Sequence, residues 1–146
     1  MQKKEDIDIY IECSSASPKE KERQYRYLLE CRSLPGNTRS GGDFMTGTFN
    51  MVTMTALIQA LERIKWPCTV YIHCRNEWML NMISHQLHIW KEKDFRNSKG
   101  NLIANAGLWQ RITELTEEHE VITVAGKHEY SNWMTEEMRK GEQNVR

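Results

Sequence analysis

The sequence predicts one α/β domain, a five-stranded mixed sheet flanked by helices, and three observations lead there. Strand-period alternation dominates the first third of the chain, helical period takes over near residue 50, and two short apolar strands recur between the later helices. A helix between two strands favours parallel pairing. The first three strands are therefore expected as an antiparallel meander, and the later two as parallel additions to it.

Each element has its own warrant. Ile7, Ile9 and Ile11 alternate with Asp8, Tyr10 and Glu12, which is the period of a strand with one apolar face. The run Lys19–Arg23 reads as a solvated turn or edge. Gln24–Ser33, with Tyr25, Tyr27, Leu28, Leu29 and Cys31, is the second strand, and Leu34-Pro35-Gly36-Asn37 supplies turn chemistry. Thr38–Thr48 is a third, glycine-interrupted strand. Thr53, Leu57, Ala60, Leu61 and Ile64 then mark one face of a helix from about Asn50 to Lys65, closed by Pro67.

Thr69–Cys74 is a short apolar strand, and Asn76 is placed to cap a helix from about Glu77 to Lys93, with Met79, Ile83, Leu87 and Trp90 along one side. Gly100-Asn101 interrupts the chain before a helix from about Asn105 to Glu118 that carries Leu108, Trp109, Ile112 and Leu115. Val121–Ala125 is the last strand, and a helix starts near Ser131. One domain over residues 1–146 is expected, with loose ends at about 1–6 and 140–146, the latter inside a charged tail that starts at Met138.

Composition narrows the function classes. Twenty Lys+Arg balance twenty Asp+Glu among 146 residues, so a nucleic-acid contact needs a local basic patch rather than a global excess. A hydrophobic share of 39% and five tryptophans argue against disorder. No apolar run approaches the roughly 18 residues that span a bilayer, so no membrane partner is expected. The charged N-terminus does not read as a signal peptide. Cys13, Cys31, Cys68 and Cys74 lack Cys-x-x-Cys spacing. Buried free thiols in a reducing cytosol are the simplest reading, with zinc or disulfides as the alternatives.

Four ordered strings, Met54–Glu62, Cys68–His73, His88–Phe95 and Gly107–Ile112, resemble type 1 ribonuclease H. Met54-Thr55-Ala56-Leu57-Ile58-Gln59-Ala60-Leu61-Glu62 looks like the family's first helix, and Cys68-Thr69-Val70-Tyr71-Ile72-His73 like its fourth strand. His88-Ile89-Trp90-Lys91-Glu92-Lys93-Asp94-Phe95 and Gly107-Leu108-Trp109-Gln110-Arg111-Ile112 look like the basic handle and the helix behind it. The likeness covers residues 7–139 and is strongest over 50–112. It implies the ribonuclease H-like fold and, in the family, two Mg²⁺ ions held by four carboxylates for RNA-strand cleavage.

The resemblance places those four carboxylate positions on Glu12, Thr53, Arg75 and Glu136, with Thr135 the alternative for the last. Arg75 puts a permanent cation where two dications belong, at a cost of roughly 6–7 kcal/mol per ion at about 5 Å and an effective dielectric near 20. Glu77 and Asp43 are the neighbouring carboxylates considered for rescue. Arg75 is expected to fork onto Glu12 or Glu136 in place of a metal. The glycine-rich turn after the family's first strand is replaced by Cys13-Ser14-Ser15-Ala16-Ser17-Pro18.

Nucleic-acid contacts are expected at Lys91, Lys93, Phe95, Arg96 and Lys99 of the handle and at His128, the match to a mobile loop histidine, while Trp90 is expected in the core. The expectation is a catalytically inactive ribonuclease H-like domain. It would need no cofactor or metal and would bind an RNA–DNA hybrid, another nucleic acid or a protein partner in the cytoplasm, as the connection subdomain of reverse transcriptases keeps the fold without the carboxylates. Two alternatives stand beside it: an active, divergent enzyme using Mg²⁺ or Mn²⁺, and a protein-interaction module without a nucleic-acid role.

Overall fold

The computed structural model describes residues 4–145. Its elements run β1 (Glu5–Cys13), β2 (Lys21–Cys31), β3 (Thr38–Gly47), α1 (Phe49–Leu61), β4 (Cys68–Cys74), α2 (Glu77–His85), α3 (Leu87–Glu92), α4 (Ala106–Thr116), β5 (Glu120–Ala125) and α5 (Ser131–Val145). The sheet order is β3-β2-β1-β4-β5. The first three strands pair antiparallel, and β4 lies parallel to both β1 and β5. This is the expected meander with parallel additions.

The core lies between the sheet and α1 and α4. Ile9, Ile11, Val70 and Ile72 pack there with Met54, Leu57, Leu61, Trp109 and Ile112. The opposite face of β1 departs from the expectation of a strand with one buried side, because Asp8, Tyr10 and Glu12 are buried as well. The cause is α5, whose Met134 packs with Tyr10 and Leu28 on that face, joined by half-buried Tyr130.

Three boundaries differ from the sequence reading. β2 begins at Lys21, inside the charge run, because the Arg23 guanidinium is satisfied there by the carbonyls of Ser15, Lys19 and Gly47. α1 stops at Leu61, so that Glu62–Lys65 can unwind ahead of Pro67 and deliver the chain to β4. The long helix expected over Glu77–Lys93 breaks at Gln86 into α2 and α3.

β1 begins at Glu5, and α5 runs to Val145 with Met138 buried, while residues 1–3 and 146 lie outside the described residues. No helix among the described residues is long and apolar enough to cross a membrane.

Candidate functional site

The carboxyl ends of β1 and β4 lie side by side, since the two strands are parallel neighbours with Tyr10 opposite His73. Two residues further on come Glu12, still within β1, and Arg75, one residue past the end of β4. Crevices at the carboxyl ends of parallel strands are where α/β sheets gather ligands, because loops diverge there and leave side chains uncovered. A small cleft at this point, about 40 Å³ in volume, is lined by Glu12, Cys13, Phe49, Thr53, Arg75 and Asn76, among others. Two local devices hold its walls. Thr48 caps α1 by accepting from the Met51 N–H, and Asn76 caps α2 by accepting from the Met79 N–H. The Asn76 amide also donates to Asn50 Oδ1 at 2.9 Å, tying the two helix starts together.

Glu12 is the hub. It is only 6% exposed, and both of its oxygens are engaged. Arg75 Nε lies 3.1 Å from Oε1 and donates to Oε2 at 3.3 Å. The Ser131 hydroxyl donates to Oε2 at 2.6 Å, and His128 Nε2 lies 3.0 Å from the same oxygen. The Tyr130 N–H donates to His128 Nδ1, which makes that nitrogen the acceptor and leaves the imidazole proton on Nε2, facing Glu12. Burial alone raises the Glu12 carboxyl, but the hydrogen bonds from His128 and Ser131 and the charge of Arg75 outweigh it and hold the group below its ordinary range.

The expected site residues are thus brought together in part. Glu12, Thr53 and Arg75 share the cleft, and Arg75 reaches Glu12 through Nε alone instead of the expected fork. Thr53 does not reach that pair: its hydroxyl donates to the Phe49 carbonyl at 2.7 Å, with Cys13 Sγ 3.7 Å away. Glu136 is not part of the arrangement. It is exposed and receives two hydrogen bonds from Arg139. The helical period explains this, since Ser131, Met134 and Met138 form the buried stripe of α5 and residue 136 falls on the outward side.

Ser131, which the sequence reading did not single out as a site residue, is the α5 side chain that bonds Glu12. Its only sequence signal was its place at a helix start, which reads as an ordinary cap.

His128 is no exposed loop histidine. Its side chain is 3% exposed and serves Glu12. In the handle, Lys91, Lys93, Arg96 and Lys99 are exposed, Lys91 pairs with Glu117, and Arg96 donates to the Gly100 carbonyl. Phe95 faces inward instead of offering a stacking surface. Its φ of 58° and the 53° of Asp94 turn the chain out of α3 through the left-handed region and drop the ring into the core. Trp90 is half-buried and packs against Trp109 with ring centroids 5.2 Å apart.

The donor set does not fit a magnesium pair. Mg²⁺ requires oxygen ligands, and two such ions need several negative charges. Among the described residues lining the cleft, Glu12 is the one carboxylate, its oxygens are occupied by protein donors, and Arg75 cancels its charge. Neither neighbour rescues it. Asp43 lies on β3, two strands away from β1, with Oδ1 taken by the Phe44 N–H, and Glu77 sits exposed on the first turn of α2. No cluster of three or more His, Cys, Asp or Glu side chains able to hold a metal occurs among the described residues.

The RNase H family model matches residues 4–128. A protein named Ribonuclease H from Gluconobacter oxydans (strain 621H) is 39% identical over 94 residues, 64% of this chain and 61% of that relative. The chain spans about half the length of other curated relatives it matches. Among solved structures, LC9-RNase H1, described as a type 1 RNase H with the type 2 active-site motif, superposes with a TM-score of 0.70 at 14% identity, covering 99% of this chain and 75% of that one. LC11-RNase H1 in complex with an RNA/DNA hybrid gives 0.63 at 16% identity, covering 92% and 98%. At such identities these structures show the fold.

The expectation of an inactive binding domain or scaffold is corrected by the relatives, which carry the name Ribonuclease H. Counting lost carboxylates was too narrow a criterion, because an arginine as well as a metal ion can stabilise charge on a transferring phosphoryl group. With its sheet order in place and its family model matched across 125 positions from 4 to 128, the chain belongs to the ribonuclease H family.

Proposed function

We propose that this chain is an active, divergent ribonuclease H that cleaves the RNA strand of RNA–DNA hybrids. The observation that carries the proposal is the family match, which extends across the strand ends where Glu12 and Arg75 meet, together with relatives named for the activity. A structural neighbour seen with an RNA/DNA hybrid supports the choice of substrate. The exposed Lys91, Lys93, Arg96 and Lys99 are the proposed path for the hybrid backbone, since a neutral chain needs a local cationic strip to hold phosphates. Arg111 lies outside that strip, spent on Glu62 and Glu114. A reducing, cytoplasmic setting belongs to the same proposal and is supported by four free cysteines.

The chain's own residues contribute position and charge. Glu12, Ser131 and His128 form a buried anchor, and the anchor holds one cation at the mouth of the cleft. Incubation of an end-labelled RNA–DNA hybrid with the protein, in EDTA and with Mg²⁺ or Mn²⁺ added, is the direct test. RNA-strand cleavage that falls about 100-fold in Glu12→Gln is the expected result. An intact RNA strand under all three conditions, with the protein folded, would overturn the proposal.

A further inference from the structure

The contact between Arg75 and Glu12 is one-sided. A guanidinium presents five N–H donors, and a carboxylate that fully satisfies it takes the two-pronged fork. Here Glu12 is reached through Nε, while neither Nη atom of Arg75 has a hydrogen-bond partner among the described residues. The side chain is 49% exposed, although the carboxylate it touches is buried. The arginine is therefore fixed at its root and open at its tip.

The anchor is also over-determined. Ser131 and His128 would hold the Glu12 carboxylate in place without Arg75, and the Ser131 hydroxyl accepts from the His128 N–H at 2.9 Å, closing the group on itself. Oε2 is committed to protein donors and Oε1 faces Arg75 Nε at 3.1 Å, so a cation from solution would have to approach against the guanidinium. The carboxylate can orient a guanidinium and remain negative while doing so.

What suits the open fork is an anion with two oxygens about as far apart as the two Nη atoms, which describes the non-bridging oxygens of a phosphodiester. The neighbours agree with this. No second carboxylate lines the cleft among the described residues to repel such an anion, and Thr53 and Asn76 are neutral and already hydrogen-bonded.

We propose that Arg75, held through Nε by Glu12, grips a phosphodiester of the nucleic-acid substrate with its two Nη groups, and that this cleft engages its substrate without bound divalent cations. The inference rests on the proposed hybrid substrate and deepens it. It replaces the family's metal pair at this position with one fixed organic cation.

Two measurements on the full chain test it. In the first, an RNA–DNA hybrid carrying a fluorophore is titrated by anisotropy in EDTA and in Mg²⁺ or Mn²⁺. Affinity in EDTA is expected to equal that in either metal within about twofold. Arg75→Ala should weaken binding about tenfold and reduce the slope against salt concentration by about one unit, and Arg75→Lys should restore part of the loss because it keeps charge but not the fork. In the second, free Mn²⁺ is followed by electron paramagnetic resonance while protein is added without nucleic acid.

No Mn²⁺ site that depends on Glu12 is expected. A Mn²⁺ site present in the wild type and absent in Glu12→Gln would overturn the inference alone, leaving the hybrid substrate standing. So would a requirement for metal in hybrid binding, or unchanged affinity and salt slope in Arg75→Ala. Absence of hybrid binding under every condition would overturn the phosphate grip and the proposed function together. Because Arg75 is half exposed, its variants are expected to fold, and thermal denaturation alongside the titrations checks that they do.

Discussion

Under α1 and α4, the sheet presents Ile9, Ile11, Val70 and Ile72 to Met54, Leu57, Leu61 and Trp109. Turned over, the same strands present Tyr10 and Glu12 to α5 and the loop before it, with Asp8 and His73 paired beside them. On that second face Asp8 takes a two-pronged contact from Arg32 at 2.9 and 3.0 Å and lies 2.7 Å from His73 Nε2. Tyr10 donates to Glu129, stacks on His73 and meets Tyr130 edge-on, and Tyr130 donates to Glu30. One face supplies undirected burial and the other supplies directed polar contacts. The strand alternation of β1 serves both, and only the second face can fix a charged group to within hydrogen-bond distance of a cleft.

That contrast can be broken most severely at the first face. Leu57→Ala removes a fully buried side chain from between α1 and the sheet and is expected to cost about 2–5 kcal/mol, read as a fall in the urea midpoint. Hybrid affinity of the folded fraction should change little, because Leu57 does not line the cleft.

A smaller loss, with a pH signature, is expected on the second face. Burial raises the Asp8 carboxyl, but hydrogen bonds from Arg32 and His73, with the Arg32 charge, hold it below its ordinary value, as their counterparts do for Glu12. Both groups bind protons more readily in the unfolded chain. Their stabilisation is therefore fully present above the ordinary carboxylate range and is lost as pH falls through the lowered folded values. Wild-type stability should hold from about pH 7 to 5 and then decline toward about pH 3. Asp8→Asn should cost about 1–3 kcal/mol at neutral pH and flatten that acid decline, measured by urea denaturation at each pH. An equally steep decline in the variant would mean that other carboxylates carry the acid sensitivity.

The finest probe of the contrast is Tyr130→Phe, which deletes one hydroxyl and keeps the ring against Tyr10. A loss of about 0.5–1.5 kcal/mol is expected, with no change in the core. A loss as large as that of Leu57→Ala would show that the polar face is as cooperative as the apolar one.

Much of the fold was legible before any coordinate, and for identifiable reasons. The alternation in β1, the 3.6-residue stripe of α1 and the cap Asn76 are local patterns, and local geometry alone produces them. The break at Gln86 was missed because the 79-83-87-90 apolar stripe continues across it, and periodicity cannot register one residue whose φ of −117° departs from the usual helical value. Arg23 was read as solvated because a charge run normally is. Its burial depends on three carbonyls from separate stretches of chain that no sequence window contains.

The site divides in the same way. Residue types and order led to the sheet with its parallel additions, and the resemblance to the family led to the placing of Arg75 beside Glu12 and the reduced negative charge there. Tertiary structure decided the rest. The rotation of α5 about its axis turned Glu136 outward to Arg139 and Ser131 inward to Glu12, and the path of the preceding loop buried His128 beside them. A shift of one residue along a helix moves a side chain by about 100°, so alignment within a loop of uncertain length leaves open which side chain faces the cleft. The packing of Met134 and Met138 against the sheet settles it, since burying that apolar stripe leaves one orientation for the helix.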